Sequence, residues 1–155
     1  MAATEPEMVD TTNVNPPDFI GGCRIISLPK IADVRGNLSF VEGGRSIPFA
    51  IRRAYWIYDV PGGALRGGHA YHKLEEFIIA VSGSFDVVVD DGRERQTVQL
   101  NRSYFGLYVP SLVWRQIVNF SSNSVTLILG SLPYSEEDYL RDYRGFVLAR
   151  EAGRK

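Results

Sequence analysis

Cysteine, histidine and long apolar runs are scarce in this chain of 155 residues. Its single cysteine, Cys23, excludes an internal disulfide and fits a reducing compartment. No segment approaches the roughly 18 consecutive apolar residues that span a bilayer. The first residues also lack the charged and then apolar pattern of a signal peptide. These features predict a soluble, cytoplasmic protein.

An excess of charge of one sign is also missing. The 17 basic and 18 acidic side chains give a net charge of −1, and the two signs are mixed along the chain. Binding to nucleic acid or to an anionic membrane surface requires a concentrated basic patch. We therefore expect neither nucleic acid nor a membrane among the partners.

Helical periodicity is nearly absent, and short β-rich runs replace it. Residues 1–20 are polar and proline-punctuated, which predicts a flexible N-terminal tail, and residues 21–155 have the length of one domain. Asp90-Asp91-Gly92 is a hairpin turn signal, because glycine accepts the positive φ of a tight turn. Many short strands joined by turns predict an all-β barrel or jelly roll. The predicted strands are Cys23–Leu28, Asn37–Glu42, Arg52–Val60, Glu76–Val81, Phe85–Asp90, Thr97–Leu100, Phe105–Val109, Trp114–Phe120 and Val125–Ser131.

The C-terminal stretch is the exception to this pattern. Ser135 begins a capping-box pattern, Ser-Glu-Glu-Asp. Tyr139, Leu140, Tyr143 and Phe146 then recur at helical spacing. The sequence predicts one short helix here, docked on the barrel.

A glycine-spaced histidine box lies between Gly63 and Gly83. It contains His69 and Glu76 at the spacing found in metal-binding cupin barrels, but Tyr71 stands where the second histidine belongs. In the later half of the box, Arg115 replaces the third histidine.

One imidazole and one carboxylate cannot complete the three- or four-ligand shell of a transition metal. The box predicts a cupin barrel with no metal and no cofactor, whose pocket takes an organic ligand. A metal-dependent cupin dioxygenase is the alternative suggested by Glu76.

His69 is the candidate catalytic residue of this pocket. Imidazole titrates near neutrality, so it can take and return a proton within one turnover. Barrel strands alternate inward and outward residues, so Tyr71 should share the face of His69, while Ala70 and His72 face away. Phenols can donate to a developing oxyanion, and guanidinium groups match a phosphate. The candidate phenols are Tyr55, Tyr71 and Tyr108, and the candidate phosphate ligands are Arg35, Arg53, Arg66 and Arg115.

From about Ile25 to Phe146 the sequence resembles the WxcM-like cupins that act as nucleotide-sugar 3,4-ketoisomerases. The matching phrases are 33–38 (Asp-Val-Arg-Gly-Asn-Leu), 47–49 (Ile-Pro-Phe), 51–55 (Ile-Arg-Arg-Ala-Tyr), 66–70 (Arg-Gly-Gly-His-Ala), 82–87 (Ser-Gly-Ser-Phe-Asp-Val), 90–92, 100–102, 106–110 (Gly-Leu-Tyr-Val-Pro), 114–115 and 137–143. The resemblance implies an RmlC-like jelly-roll barrel.

The resemblance also implies a reaction. The ketone of dTDP-4-dehydro-6-deoxy-glucose moves from C4 to C3 without metal or redox cofactor. His69 matches the base, Tyr55 a residue lining the sugar site, and Arg66 a pyrophosphate contact. Arg35 matches the FdtA-type branch, whose product has the galacto configuration. Tyr71 departs from the family, where a second histidine helps to relay the hydroxyl proton between O3 and O4.

The resemblance further implies a homodimer with an N-terminal strand exchanged between partners, and a role in deoxyamino-sugar biosynthesis for a polysaccharide or O-antigen. Two alternatives stay open on the sequence alone. Tyr71 also fits a non-catalytic nucleotide-sugar binding module, and an epimerase on the same sugar would begin with the same deprotonation.

Overall fold

The computed structural model describes residues 18–154, and the predicted tail up to residue 17 lies outside this range. Within these residues the chain forms twelve strands and one α-helix. The strands are β1 (Arg24–Ser27), β2 (Lys30–Asp33), β3 (Gly36–Ser39), β4 (Arg53–Ile57), β5 (Arg66–Tyr71), β6 (Glu76–Ser82), β7 (Phe85–Asp90), β8 (Arg95–Leu100), β9 (Phe105–Val109), β10 (Trp114–Val118), β11 (Val125–Gly130) and β12 (Tyr139–Leu140), and the helix is α1 (Tyr143–Ala152).

Two five-stranded antiparallel sheets form the barrel. Their strand orders are β1-β9-β6-β11-β4 and β12-β5-β10-β7-β8. Strand β7 shows the alternation that builds the core, since Phe85, Val87 and Val89 are buried against Ile78 and Ile128 of the other sheet. The predicted all-β jelly-roll barrel with a short C-terminal helix is confirmed.

Two smaller clusters cover the outer faces of the sheets. Ile47 and Phe49, in the connection before β4, pack on Phe77 and Leu129 of the first sheet. Helix α1 packs Phe146 on the outer face of the second sheet, against Ala70 and Trp114. Ala70 therefore faces away from the barrel interior, as the alternation of β5 predicts.

The helix begins later than the sequence predicts. Ser135 precedes only a short 3-10 turn, Glu136–Asp138, and its side chain makes no cap hydrogen bond. The N-cap of α1 is Asp142, whose carboxylate accepts a hydrogen bond from the Gly145 amide at 2.8 Å. Tyr139 consequently lies in β12, on the edge of the second sheet, rather than in the helix.

The first residues that the structure describes and the β2–β3 hairpin both differ from what the sequence predicts. Asp18, Phe19 and Ile20 contact the barrel, because Phe19 and Ile20 pack on the core and the Asp18 carboxylate accepts a hydrogen bond from the Ile25 amide. Strands β2 and β3 form a separate hairpin whose residues are exposed, apart from the half-buried Ser39. Folded structure therefore begins inside the predicted tail.

Candidate active site

Strands β5 and β10 place His69 and Arg115 side by side. The two residues are cross-strand partners, and the register shifts between Arg115 and Gln116. Such bulges redirect side chains and are common next to active sites. Both side chains are buried, with 8% of His69 and 2% of Arg115 exposed. Two positions of the histidine box, 46 residues apart in sequence, thus meet inside the barrel.

Arg115 joins the two sheets through a buried carboxylate. Its Nε donates to Oε2 of Glu76 at 2.8 Å, and its Nη2 donates to Oε1 at 2.8 Å. The Tyr55 hydroxyl donates to the same Oε1 at 2.8 Å and accepts from Arg115 Nη2 at 2.9 Å. Burial alone would raise the pKa of Glu76, but the charge of Arg115 and these hydrogen bonds together hold that pKa below its ordinary value. The carboxylate is therefore ionised and both of its oxygens are bonded.

His69 is a neutral imidazole beside this ion pair. Burial lowers the pKa of His69, and the positive charge of Arg115 lowers it further, to about 3. Its Nδ1 atom is buried and has no hydrogen-bond partner within residues 18–154. A neutral imidazole keeps one nitrogen lone pair free to accept a proton. The site therefore holds an unprotonated imidazole, but in the free protein it is a weaker base than the near-neutral imidazole that the sequence predicts.

Two tyrosine rings lie against the imidazole. Tyr139 on β12 is directly opposite Tyr71 on β5, and their ring centroids are 4.6 Å apart. The His69 ring lies 4.9 Å from Tyr71 and 5.1 Å from Tyr139, edge-on to both. Burial, followed by the negative charge of Glu76, raises the pKa of Tyr71. The Tyr71 hydroxyl is consequently neutral, and its oxygen is buried without a partner among the described residues.

A cavity of about 550 Å³ opens over His69 and carries arginines at its mouth. Arg53 donates from Nη2 to the Tyr139 hydroxyl at 3.2 Å and stacks 4.5 Å from the Tyr55 ring. Arg141 stacks 4.2 Å from the Tyr139 ring. Guanidinium groups converging on one cavity suit a phosphate. The cavity is lined by Arg53, Tyr55, Trp56, Ile57, Leu65, Arg66, Gly67, His69, Arg115, Tyr139 and Arg141.

Five predicted site residues lie on this cavity, namely Arg53, Tyr55, Arg66, His69 and Arg115. Tyr71 lies behind them, in contact with the His69 ring. His72, the residue after β5, is exposed, as predicted.

Tyr108 does not reach the cavity. Its neighbours Leu107 and Val109 point into the core, so the alternation of β9 turns Tyr108 to the outer face of the sheet. There its hydroxyl donates to Glu75, and its ring lies beside Phe49. Within this chain Tyr108 therefore lies away from the cavity, and its role in substrate binding stays a prediction.

Arg35 is also remote from the cavity. It lies at the tip of the β2–β3 hairpin, its side chain is 86% exposed, and its guanidinium pairs with Asp33 at 2.8 Å. The hairpin belongs to neither barrel sheet. Within a single chain, therefore, Arg35 lines no part of this site.

Sequence reasoning missed Tyr139 and Arg141 as site residues. The helical spacing of Tyr139 and Leu140 with Tyr143 and Phe146 assigned them to the helix. The signal that separates them is Asp142, a good N-cap residue followed three positions later by the amide that it binds. A helix beginning at Tyr143 leaves Tyr139 free to pair with β5.

The donor set of the site does not fit a metal. No group of three His, Cys, Asp or Glu side chains is close enough to hold an ion in the part of the chain that the structure describes. The carboxylate of the box, Glu76, is bonded at both oxygens to Arg115. In the same range, no helix is long and apolar enough to cross a membrane.

The chain is similar to characterised isomerases over most of its length. It is 42% identical over 123 residues to TDP-4-oxo-6-deoxy-alpha-D-glucose-3,4-oxoisomerase from Aneurinibacillus thermoaerophilus, covering 79% of this chain and 88% of that protein. It superposes with a TM-score of 0.84 on a histidine-to-asparagine mutant of the 3,4-ketoisomerase QdtA from Thermoanaerobacterium thermosaccharolyticum in complex with TDP-4-keto-6-deoxyglucose, at 33% identity and with 86% of this chain and 97% of that one covered.

A third relative is the TDP-quinovose 3,4-ketoisomerase WlaRB from Campylobacter jejuni, with 38% identity, a TM-score of 0.80, and 83% of this chain and 99% of that one covered. The family model described as FdtA, WxcM-like, C-terminal, matches residues 21–151. The chain therefore belongs to the FdtA family of WxcM-like proteins, and it is an isomerase.

Proposed function

We propose that this enzyme moves the ketone of dTDP-4-dehydro-6-deoxy-glucose from C4 to C3 and releases dTDP-3-dehydro-6-deoxy-galactose. The observation that carries the proposal is the neutral, buried imidazole of His69, placed on a cavity with arginines at its mouth. The related proteins named above act on, or bind, TDP-linked keto-deoxyhexoses.

The substrate class follows from charge. Arg53, Arg66 and Arg141 lie on the cavity together, while the acidic group beneath them, Glu76, is already neutralised by Arg115. A diphosphate brings negative charge and forked acceptor geometry to such a cluster. A nucleoside diphosphate bound there directs its sugar toward His69.

The chemistry needs one base. The C4 carbonyl acidifies the C3 hydrogen, and His69 takes that proton while the C3–H electron pair forms the C3=C4 bond of an enediolate. Return of the carbon-bound proton to C4, with transfer of the O3 hydroxyl proton to O4, leaves the ketone at C3 and a hydroxyl at C4. This route uses no metal, and the residues present would not hold one.

The stereochemistry follows from having one imidazole in the cavity. In the substrate the C3 hydrogen lies on one face of the hexose, and a galacto product carries its new C4 hydrogen on that same face. A gluco product would need an acid on the opposite face. The imidazole of His69 can serve only one face of the sugar, and the other histidine, His72, is exposed and does not line the cavity. The galacto product is also the one associated with Arg35.

Proton NMR of the reaction in deuterated water tests this function. The expected result is a new keto-sugar with C3 as the carbonyl carbon and an equatorial C4 hydrogen. Binding of dTDP with no spectral change in the sugar would identify a binding module instead. Exchange or inversion with the ketone still at C4 would identify an epimerase.

We also propose that the enzyme works as a homodimer in which the β2–β3 hairpin crosses to a second copy. The hairpin exposes Ile31, Val34 and Leu38, and beside it lies a groove of about 360 Å³ lined by apolar residues such as Leu127. Large exposed apolar side chains on an isolated hairpin favour an interface. In such a dimer, the hairpin of one chain would bring its Arg35 to the cavity of the other chain.

Light scattering tests the dimer. Leu38→Asp should lower the mass in solution from two chains to one, whereas Leu148→Asp, at an exposed position on α1, should not. A wild-type monomer would overturn this part of the proposal. The biological setting that we propose is cytoplasmic deoxyamino-sugar synthesis, in which the C3 ketone is aminated next for a polysaccharide or O-antigen.

A further inference from the structure

The three tyrosine hydroxyls near His69 differ in what they already bond. The Tyr55 hydroxyl gives its proton to the Glu76 carboxylate at 2.8 Å and accepts from Arg115 at 2.9 Å. Because Glu76 is ionised, it holds that proton in a charge-assisted bond. Tyr55 therefore has no proton free for a substrate oxygen.

The Tyr71 hydroxyl is unbonded but out of reach. Its side chain is buried and its oxygen is not accessible. It is not among the residues that line the cavity. The position that carries the second family histidine is therefore occupied here by a phenol that a bound sugar does not contact.

Tyr139 both reaches the cavity, which Tyr71 does not, and keeps a free hydroxyl proton, which Tyr55 does not. It lines the cavity and is only half-buried. Its oxygen accepts a hydrogen bond from Arg53 Nη2 at 3.2 Å, and within residues 18–154 its own proton has no acceptor. Arg141 stacks on its ring at 4.2 Å. The Tyr139 hydroxyl therefore faces the cavity with its proton available to a bound sugar.

We infer that Tyr139 carries the hydroxyl proton between O4 and O3 of the sugar, the relay that the family's second histidine performs, and that it does so in place of Tyr71. This inference rests on the proposed function. In the first half-reaction His69 takes the C3 proton, the C3–H pair becomes the C3=C4 bond, and O4 takes the proton of the Tyr139 hydroxyl.

In the second half-reaction the O3 hydroxyl returns a proton to the Tyr139 phenolate. The O3–H electron pair forms the C3=O3 bond, the C3=C4 pair takes the proton from His69 at C4, and O4 stays as a hydroxyl. Both side chains end as they began, and no electrons enter or leave. His69 therefore moves the carbon-bound proton and Tyr139 the oxygen-bound proton.

The test compares Tyr139→Phe with Tyr71→Phe and Tyr134→Phe. Tyr134→Phe is the matched control, because it keeps the ring 5.1 Å from Arg53 and removes a hydroxyl that bonds Glu136 on the surface. Loss of a positioned general acid costs typically 10²–10⁴-fold. We expect kcat to fall about 10²-fold or more in Tyr139→Phe, at least tenfold more than in Tyr71→Phe, with dTDP affinity within about threefold of wild type.

The ratio of C3 deuterium exchange to product formation separates a relay from a structural role. Without the relay His69 still exchanges the C3 proton, so this ratio should rise in Tyr139→Phe. An equal loss of exchange and product would assign Tyr139 to positioning His69 and overturn the relay, as would wild-type activity in the variant. If the wild-type enzyme forms no C3 ketone, the proposed function itself has failed, and the relay falls with it.

Discussion

Arg115 and Glu76 form a two-bond ion pair inside the barrel, at positions where metal-binding cupins carry a histidine and a glutamate. The Arg115 guanidinium thus occupies both oxygens of Glu76, the carboxylate that in metal-binding cupins is available to the metal ion. Because the two residues lie on strands of different sheets, the same pair ties the sheets together behind His69.

Removing the carboxylate of this pair should destabilise the fold. Glu76→Gln leaves a buried guanidinium without its counter-charge, and breaking a buried ion pair costs about 3–5 kcal/mol. Glu42→Gln is the matched control, since its partner Arg45 and its own side chain are both exposed and such pairs contribute less than about 1 kcal/mol. Urea denaturation measures both free energies of unfolding. Equal losses in the two variants would contradict a structural role for the buried pair.

The imidazole of His69 should stay neutral at pH values well below the ordinary pKa of histidine. Its pKa in the folded protein is about 3 against 6.5 for a free side chain, because of burial and then of Arg115. The folded pKa is the lower one, so the stability that this group contributes is complete above pH 6.5 and is lost as pH falls toward 3. Nitrogen NMR of the ring across this window measures the pKa, with His72→Asn to assign the two imidazole signals.

Binding of dTDP should raise that pKa. Arg53 and Arg141 are among the charges that lower it, and a diphosphate offsets their charge. The same NMR titration repeated with saturating dTDP should show His69 protonating at higher pH. A His69 signal that titrates near 6.5 in the free protein would contradict the burial described here.

Two neighbouring glycines offer a test of how Arg115 is held. Gly67 and Gly68 both have positive φ, +85° and +80°, so alanine costs roughly 1–2 kcal/mol of backbone strain at either position. A Cβ at Gly67 would lie 2.6 Å from Arg115 Nη1, whereas at Gly68 the nearest atom is 3.8 Å away. We expect Gly67→Ala to lose turnover about tenfold or more, and Gly68→Ala to stay within about threefold of wild type at equal stability.

Equal losses of turnover in the two variants would mean that the backbone strain they share, rather than the contact with Arg115, limits turnover. Thermal melting of both variants supplies the stability control.

The sequence predicted the barrel and the centre of the site because the evidence for both is local. Strand alternation placed His69 inward and Ala70 outward, and the spacing of the histidine box joined His69, Glu76 and Arg115. The grouping of arginines around one pocket was correct for Arg53, Arg66 and Arg115.

The sequence was least informative about features that depend on strand register and on the ends of elements. Tyr108 is one residue out of phase with the core face of β9, and a single-residue offset reverses the face. Tyr139 shared a helical spacing with α1, although Asp142 begins that helix. Arg35 lies on a hairpin that belongs to neither barrel sheet, so no pattern within one chain could have shown what it contacts.

Replacement of His69 by asparagine tests the central claim most directly. Asparagine keeps a polar side chain at the cavity but cannot accept the C3 proton. We predict a loss of turnover on dTDP-4-dehydro-6-deoxy-glucose of about 10²–10⁴-fold, with dTDP affinity by calorimetry within about threefold of wild type. Wild-type turnover in His69→Asn would contradict the account, because the base would then be another group.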